Sequence, residues 1–188
     1  NAYLASGQFE KGEKIYLDLI EARPGKPDVY VLLANYYLKG NKLEKMQEAI
    51  DTATQLEKDP ARQARVFSLM GQSALEKGKT QTALNLLREA ANRQPNDSSH
   101  AYVLAKAFLV AGEREQAAEH LRKALQLAKS PDPDWLLTLG ETYRALEKKE
   151  EADESFRNAI SLLKQDCENH PGNLVKRYRL GRAYETAD

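Results

Sequence analysis

Apolar residues along this chain recur as a unit. Five segments carry a large–small pair, then an aromatic or small side chain three residues on. They are Leu33-Ala34 with Tyr37, Met70-Gly71 with Ala74, Leu104-Ala105 with Phe108, Leu139-Gly140 with Tyr143, and Leu180-Gly181 with Tyr184. Successive copies lie 37, 34, 35 and 41 residues apart. A second triplet follows each of the first four: Met46/Ile50/Ala53, Ala83/Leu87/Ala90, Ala117/Leu121/Ala124 and Ala152/Phe156/Ala159. The i, i+4, i+7 spacing puts each triplet on one helix face. Small residues let two helix axes approach, and large ones fill the gaps between them. The pattern predicts antiparallel helix pairs, each too thin to bury its apolar face alone, stacked so that neighbours share a core. Gly7, Asn41, Gly78 and Gly112 fall at the turn inside each pair, where the left-handed conformation ends a helix; Glu147 takes that place in the fourth copy. Pro24, Pro60, Pro95, Pro131 and Pro171 are read as marking the ends of second helices.

These residues resemble the tetratricopeptide repeat, W-x2-L-G-x2-Y, then A-x3-F, an alanine and a proline. Residues 64–97 match at Phe67, Met70, Gly71, Ala74, Ala83, Leu87, Ala90 and Pro95. Residues 98–131 match at Ala101, Leu104, Ala105, Phe108, Ala117, Leu121 and Ala124. The next copy matches at Leu136, Leu139, Gly140, Tyr143, Ala152, Phe156 and Ala159, with Lys164 in place of the proline and Trp135 one position from its expected place. Residues 27–60 match more loosely, with Met46 where alanine is usual. The resemblance implies an all-α, right-handed superhelical solenoid of antiparallel hairpins, about ten to eleven helices. It is divided as a partial repeat 1–26, full repeats 27–60, 64–97, 98–131 and 133–173, and a partial repeat 174–188, all one domain. Neither end reads as a polar cap, so the chain is read as a segment of a longer, bacterial-type array whose end faces are open to self-association. Residues 164–173 lengthen one copy by seven residues, read as a longer hairpin with one extra turn on each helix, or as a binding protrusion.

In this family the first helix of each hairpin lines a concave groove. The resemblance therefore assigns partner contacts to Val31, Asn35, Leu38 and Lys39; to Ser68, Gln72, Leu75 and Glu76; to Tyr102, Lys106 and Leu109; to Leu137, Glu141 and Arg144; and to Tyr178, Arg182 and Glu185. Tyr102, Tyr178 and Arg144 are the preferred anchors, mixing aromatic area with charge. The family's carboxylate clamp is poorly matched: Asn35 is in place, but Val31 replaces a lysine, Leu69 replaces the second asparagine, and Arg65 fits only in part.

Composition narrows the partner. Twenty-eight basic residues balance 28 acidic ones, so counterion release from nucleic acid offers little and an RNA-reading repeat is disfavoured. No apolar run approaches the ~18–20 residues of a membrane span. The three histidines have no nucleophile at useful spacing, so no catalytic residue is assigned and the chain is read as not an enzyme. Cys167 and His170 lack a second pair of ligands for a metal, and no cofactor motif occurs. The leading expectation is a scaffold that binds a protein or peptide within a larger assembly, for which bacterial envelope, secretion and exopolysaccharide export are the settings drawn by analogy. The compartment stays open between periplasm and cytoplasm. A regulatory module for an enzyme and direct polysaccharide binding are the alternatives.

Overall fold

In a computed structural model, residues 8–188 are described and form ten α-helices with no strand among them. They are α1 (Phe9–Ala22), α2 (Pro27–Lys39), α3 (Leu43–Leu56), α4 (Pro60–Glu76), α5 (Thr80–Arg93), α6 (Ser98–Ala111), α7 (Arg114–Leu127), α8 (Pro133–Ala145), α9 (Lys149–Asn169) and α10 (Leu174–Ala187). The turn assigned to Gly7 lies outside the described residues. The chain divides into two compact units, one ending at Pro95 and the other beginning at Asn96.

In the first unit α2 pairs with α3 and α4 with α5, while α1 packs on α2. Its core holds Leu33, Ala34, Tyr37, Met46, Ile50, Phe67, Met70, Ala74, Ala83 and Ala90, all from the signature positions, together with Leu38, Ala49 and Leu86. In the second unit α6 pairs with α7 and α8 with α9, and α10 packs on α9 and α8. Its core gathers Ala105, Leu121, Leu139, Tyr143, Ala152 and Phe156. Gly71 and Gly140 sit where helices cross: a Cβ at Gly71 would lie 2.6 Å from Leu87 Cγ, and one at Gly140 2.5 Å from Phe156 Cε1.

Each hairpin turn uses one device. Asn41, Gly78, Gly112 and Glu147 have φ of 56, 68, 79 and 59°. In each case the next N–H reaches back to the carbonyl five residues earlier: Lys42 to Tyr37, Lys79 to Ala74, Glu113 to Phe108 and Lys148 to Tyr143, all at 2.9 Å. These are four Schellman caps. Only glycine enters the left-handed region without cost; a residue with Cβ gives up about 1–2 kcal/mol. Glu147→Gly is therefore expected to stabilise the second unit by about 1 kcal/mol, visible as a rise of a few degrees in Tm. A fall in Tm would remove this account of the turn.

Four first helices, α4, α6, α8 and α10, open with carboxylate or amide caps. Asp59, Asp97 and Asp132 accept from Ala61, Ser99 and Asp134 N–H at 2.9, 2.8 and 2.9 Å, and Asn173 accepts from Lys176 N–H at 3.2 Å. Pro27, Pro60 and Pro133 stand in the first turn of α2, α4 and α8, where a missing N–H costs nothing. This corrects Pro60: it opens α4, and α3 has already ended at Leu56. The lengthened copy is corrected too. The extra residues are not split between two helices. α9 is 21 residues long against 14 in α3, α5 and α7, and α10 is 14. Nothing between Lys149 and Asn169 breaks a helix, so both added turns stay on α9.

Candidate functional site

Two grooves run between neighbouring first helices, one in each unit. In the second unit, α8 and α10 enclose a cavity of about 340 Å³ lined by Asp134, Leu137, Glu141, Tyr178, Arg179, Arg182 and Thr186. Four of these were assigned from sequence: Leu137 and Glu141 one helical turn apart on α8, Tyr178 and Arg182 likewise on α10. Leu137 is half-buried and forms the apolar floor, while Glu141, Tyr178 and Arg182 are exposed. Arg179 ties the walls together, donating to Asp134 Oδ2 at 3.0 Å and lying 3.4 Å from Asp132 Oδ1. One turn earlier on α10, Lys176 Nζ donates to Asp166 at 2.6 Å and holds that carboxyl below its ordinary range. Lys176 Nζ also lies 2.8 Å from His170 Nδ1. The rim thus has charges of both signs around an aromatic and an aliphatic side chain.

In the first unit, α2 and α4 border a cavity of about 600 Å³ lined by Lys26, Pro27, Asp28, Val31, Glu57, Arg62, Arg65, Val66 and Leu69. Val31 is the sequence-assigned residue there. Asn35 lies between the same helices, but its Oδ1 accepts from Ser73 Oγ at 2.9 Å, so it joins α2 to α4. Lys39, Gln72 and Glu76 are exposed and Leu75 is half-buried. Two assignments are corrected. Leu38 is only 1% exposed and belongs to the core, and Ser68 is 6% exposed, its oxygens accepting from Gln72 Nε2 at 3.3 Å. Neighbouring helices cover both positions, so neither offers a surface to a partner.

Tyr102, one of the preferred anchors, is half-buried and already has partners within the unit. Its ring stacks on Trp135 with centroids 4.7 Å apart and planes at 14°, Lys106 Nζ stands 5.8 Å from its centroid, and it shares a hydrogen bond with Thr138. Burial pushes its phenol above the usual value. Tyr102 therefore pins α6 to α8, and Leu109 is half-buried on α6. Arg144 is exposed on α8 and also has partners within the unit. Its Nη1 donates to the Thr186 carbonyl at 2.9 Å, and its guanidinium lies 5.3 Å from the Phe156 ring centroid. It does not line the α8–α10 cavity. Glu185 is exposed on α10.

Sequence reasoning missed Trp135, Asp134 and Arg179 in the second unit, and Val66 and Leu69 as groove lining in the first. Trp135 gave a signal, a large aromatic one place from its expected position. The Asp134–Arg179 pair, 45 residues apart, gave none. Among the described residues no group of three or more His, Cys, Asp or Glu is arranged to hold a metal ion. No helix among them is long and apolar enough to cross a membrane.

No curated protein sequence matches the chain. Solved structures do. A MamA crystal structure is 17% identical, with a TM-score of 0.65 over 89% of this chain and 95% of that one. YrrB, described as a TPR protein with an unusual peptide-binding site, is 16% identical, with a TM-score of 0.59 over 95% of this chain and 87% of that one. The Arabidopsis OM64 TPR domain is 22% identical, with a TM-score of 0.52 over 68% of this chain and 98% of that one. At these identities the likeness is one of fold. The family model described as tetratricopeptide repeat matches residues 68–134 and 102–173, and a second model of the same repeat matches residues 27–60. Its matches cover more than half of the sequence and carry the same helical repeat seen in the structure, and the chain belongs to the tetratricopeptide repeat family.

Proposed function

We propose that this chain is a non-catalytic scaffold that holds an extended segment of a partner protein against its first helices, with the α8–α10 groove as the main contact. One observation carries the reading: Leu137, Glu141, Tyr178 and Arg182 converge on one cavity, an apolar floor with an exposed tyrosine and charges at the edge. A few buried anchors in a polar rim is the usual anatomy of a protein contact. The peptide-binding site named for YrrB supports a peptide as the ligand class. The larger-assembly setting, in a bacterial envelope, secretion or exopolysaccharide-export system, belongs to the same proposal and rests on analogy of fold. Polysaccharide binding through the groove tyrosines is a weaker reading: Tyr178 is exposed, but Trp135 already covers one face of the Tyr102 ring.

The test is selection of binding peptides from a random display library on the 188-residue chain. Enriched peptides are expected to carry a large apolar residue beside an acidic one, matching Leu137 and Arg182. Leu137→Ala with Arg182→Ala should weaken the best peptide by about 30-fold to 900-fold, since two anchors of about 1–2 kcal/mol each are removed. Helical content by circular dichroism should not change. Full affinity in the double variant would reject the α8–α10 assignment.

A further inference from the structure

The two grooves differ in size and in most of their lining, yet each leaves one pair of opposite charges open. In the α2–α4 groove, Glu57 and Arg62 lie 3.8 Å apart, and Arg62 also lies 3.7 Å from Asp59. In the α8–α10 groove, Asp134 and Arg179 are joined at 3.0 Å. What remains is Asp28 with Arg65 in the first groove, and Glu141 with Arg182 in the second. All four are exposed, and none of their side chains has an ion-pair or hydrogen-bond partner among the described residues. The members of each pair stand on opposite walls at one repeat position. Arg65 follows Asp28 by 37 residues, the spacing of Leu33 and Met70; Arg182 follows Glu141 by 41, the spacing of Leu139 and Leu180. In both grooves the acid is on the earlier helix and the arginine on the later one. Lys26, exposed just before α2, is the one further charge that lines either groove. The arrangement is not peculiar to α10, because α2 and α4 both have their second helices, α3 and α5, packed on them.

An extended peptide lying in such a groove meets both walls in turn. Its successive side chains point to opposite sides, so neighbouring residues face opposite helices. The Glu141 wall attracts a base and the Arg182 wall an acid, and the two are therefore adjacent in the ligand. The apolar contact fixes a third residue. Leu137 lies four residues from Glu141 on the same wall, about 6 Å along the helix, and two residues of extended chain span about 6.6–6.8 Å. In the first groove Val31, half-buried like Leu137, lies three residues from Asp28, about 4.5 Å along α2. We propose that the ligand, on the reading of these grooves as peptide sites, is an internal segment of a partner protein in which a large apolar residue adjoins an acidic and a basic residue side by side. The same triplet fits either groove. A segment with two acids would set one of them against Asp28 or Glu141, and a segment with two bases would set one against Arg65 or Arg182. A lone chain-terminal carboxylate would satisfy one wall and leave the other unmet.

Fluorescence anisotropy of labelled peptides on the 188-residue chain decides it. Three probes, capped at both ends and flanked by Gly-Ser, differ only in a central triplet: Leu-Glu-Lys, Leu-Glu-Glu or Leu-Lys-Lys. The mixed probe is expected to bind about three- to tenfold more tightly than either like-charged one, because one exposed attraction is exchanged for a repulsion. Salt should shrink that advantage. Asp28→Lys with Glu141→Lys gives both grooves two cationic walls, and the preference should pass to Leu-Glu-Glu with no change in helical content by circular dichroism. Equal affinity for the three probes, a preference of the native chain for a like-charged probe, or a mixed-charge preference that survives the double variant would each overturn the proposal. The two readings fail separately. Library peptides that depend on Leu137 but carry no neighbouring acid and base would sink this inference and leave the groove standing as a peptide site. A chain that captures no peptide at all would remove both.

Discussion

Phe156→Ala is expected to cost the second unit about 3–5 kcal/mol, the range for removing a buried aromatic from a packed core. Folding stabilities are ~5–15 kcal/mol, so this removes a large fraction of the total. The ring is 3% exposed and fills the space that Gly140 leaves open on α8. Ala152 and Ala159 flank it on α9, and the Arg144 guanidinium covers it. Two things are lost together: the apolar area, and the wedge that sets the distance between α8 and α9. The cavity cannot close, because α8 is also held by Tyr102 on one side and by α10 on the other. Phe156→Leu should cost far less, roughly 1 kcal/mol, because leucine keeps most of the volume. The chain contains that solution already: Leu87 faces Gly71 at the same repeat position. Urea denaturation followed by circular dichroism measures both variants. Equal losses for alanine and leucine would show that the ring is not the wedge.

The packing code was legible because it is local. Leu139-Gly140 and Ala152/Phe156/Ala159 can be read as facing partners without knowing where any other repeat lies, and the four left-handed turns follow from residues one or two places past each helix. Glu147 was harder, since its side chain argues against the conformation that its position demands. What sequence could not resolve is set by contacts between repeats. Leu38 and Ser68 have the spacing of groove residues, yet adjacent helices cover them. Asn35 bonds to a residue 38 positions away. Tyr102 and Arg144 carry the aromatic and cationic groups expected of anchors, and each also has a partner 33 or 42 residues away, Trp135 and the Thr186 carbonyl. A repeat motif fixes which face a residue occupies, and long-range partners decide whether that face is free.

Tyr36→Ala should produce a loss of similar size confined to one element. Tyr36 is 2% exposed and its hydroxyl donates to the Phe9 carbonyl at 2.9 Å. Its ring stacks on Phe9 at 4.6 Å and leans on Tyr16 at 5.0 Å. Gly12 lets α1 approach the phenol so closely that any Cβ there would collide with it. These contacts, with Glu13, are what hold α1 to α2. The Glu13 carboxylate accepts from Lys45 Nζ and from the Tyr37 hydroxyl, both at 2.7 Å. The lysine contact chiefly, then the tyrosine one, holds that carboxyl below its ordinary value. A depressed carboxylate contributes stability above the unfolded value and loses it as pH falls through the folded one. Removing the ring takes away about 3–5 kcal/mol of docking, more than one short amphipathic helix has in reserve. Hydrogen exchange should then find residues 9–22 close to unprotected while α4 and α5 keep their protection, because those helices draw their core from Phe67, Met70, Ala74, Ala83 and Leu86. Acidification through the Glu13 titration should move the intact chain in the same direction, loosening α1 first. A uniform loss of protection across the first unit would show instead that α1 is part of its cooperative core.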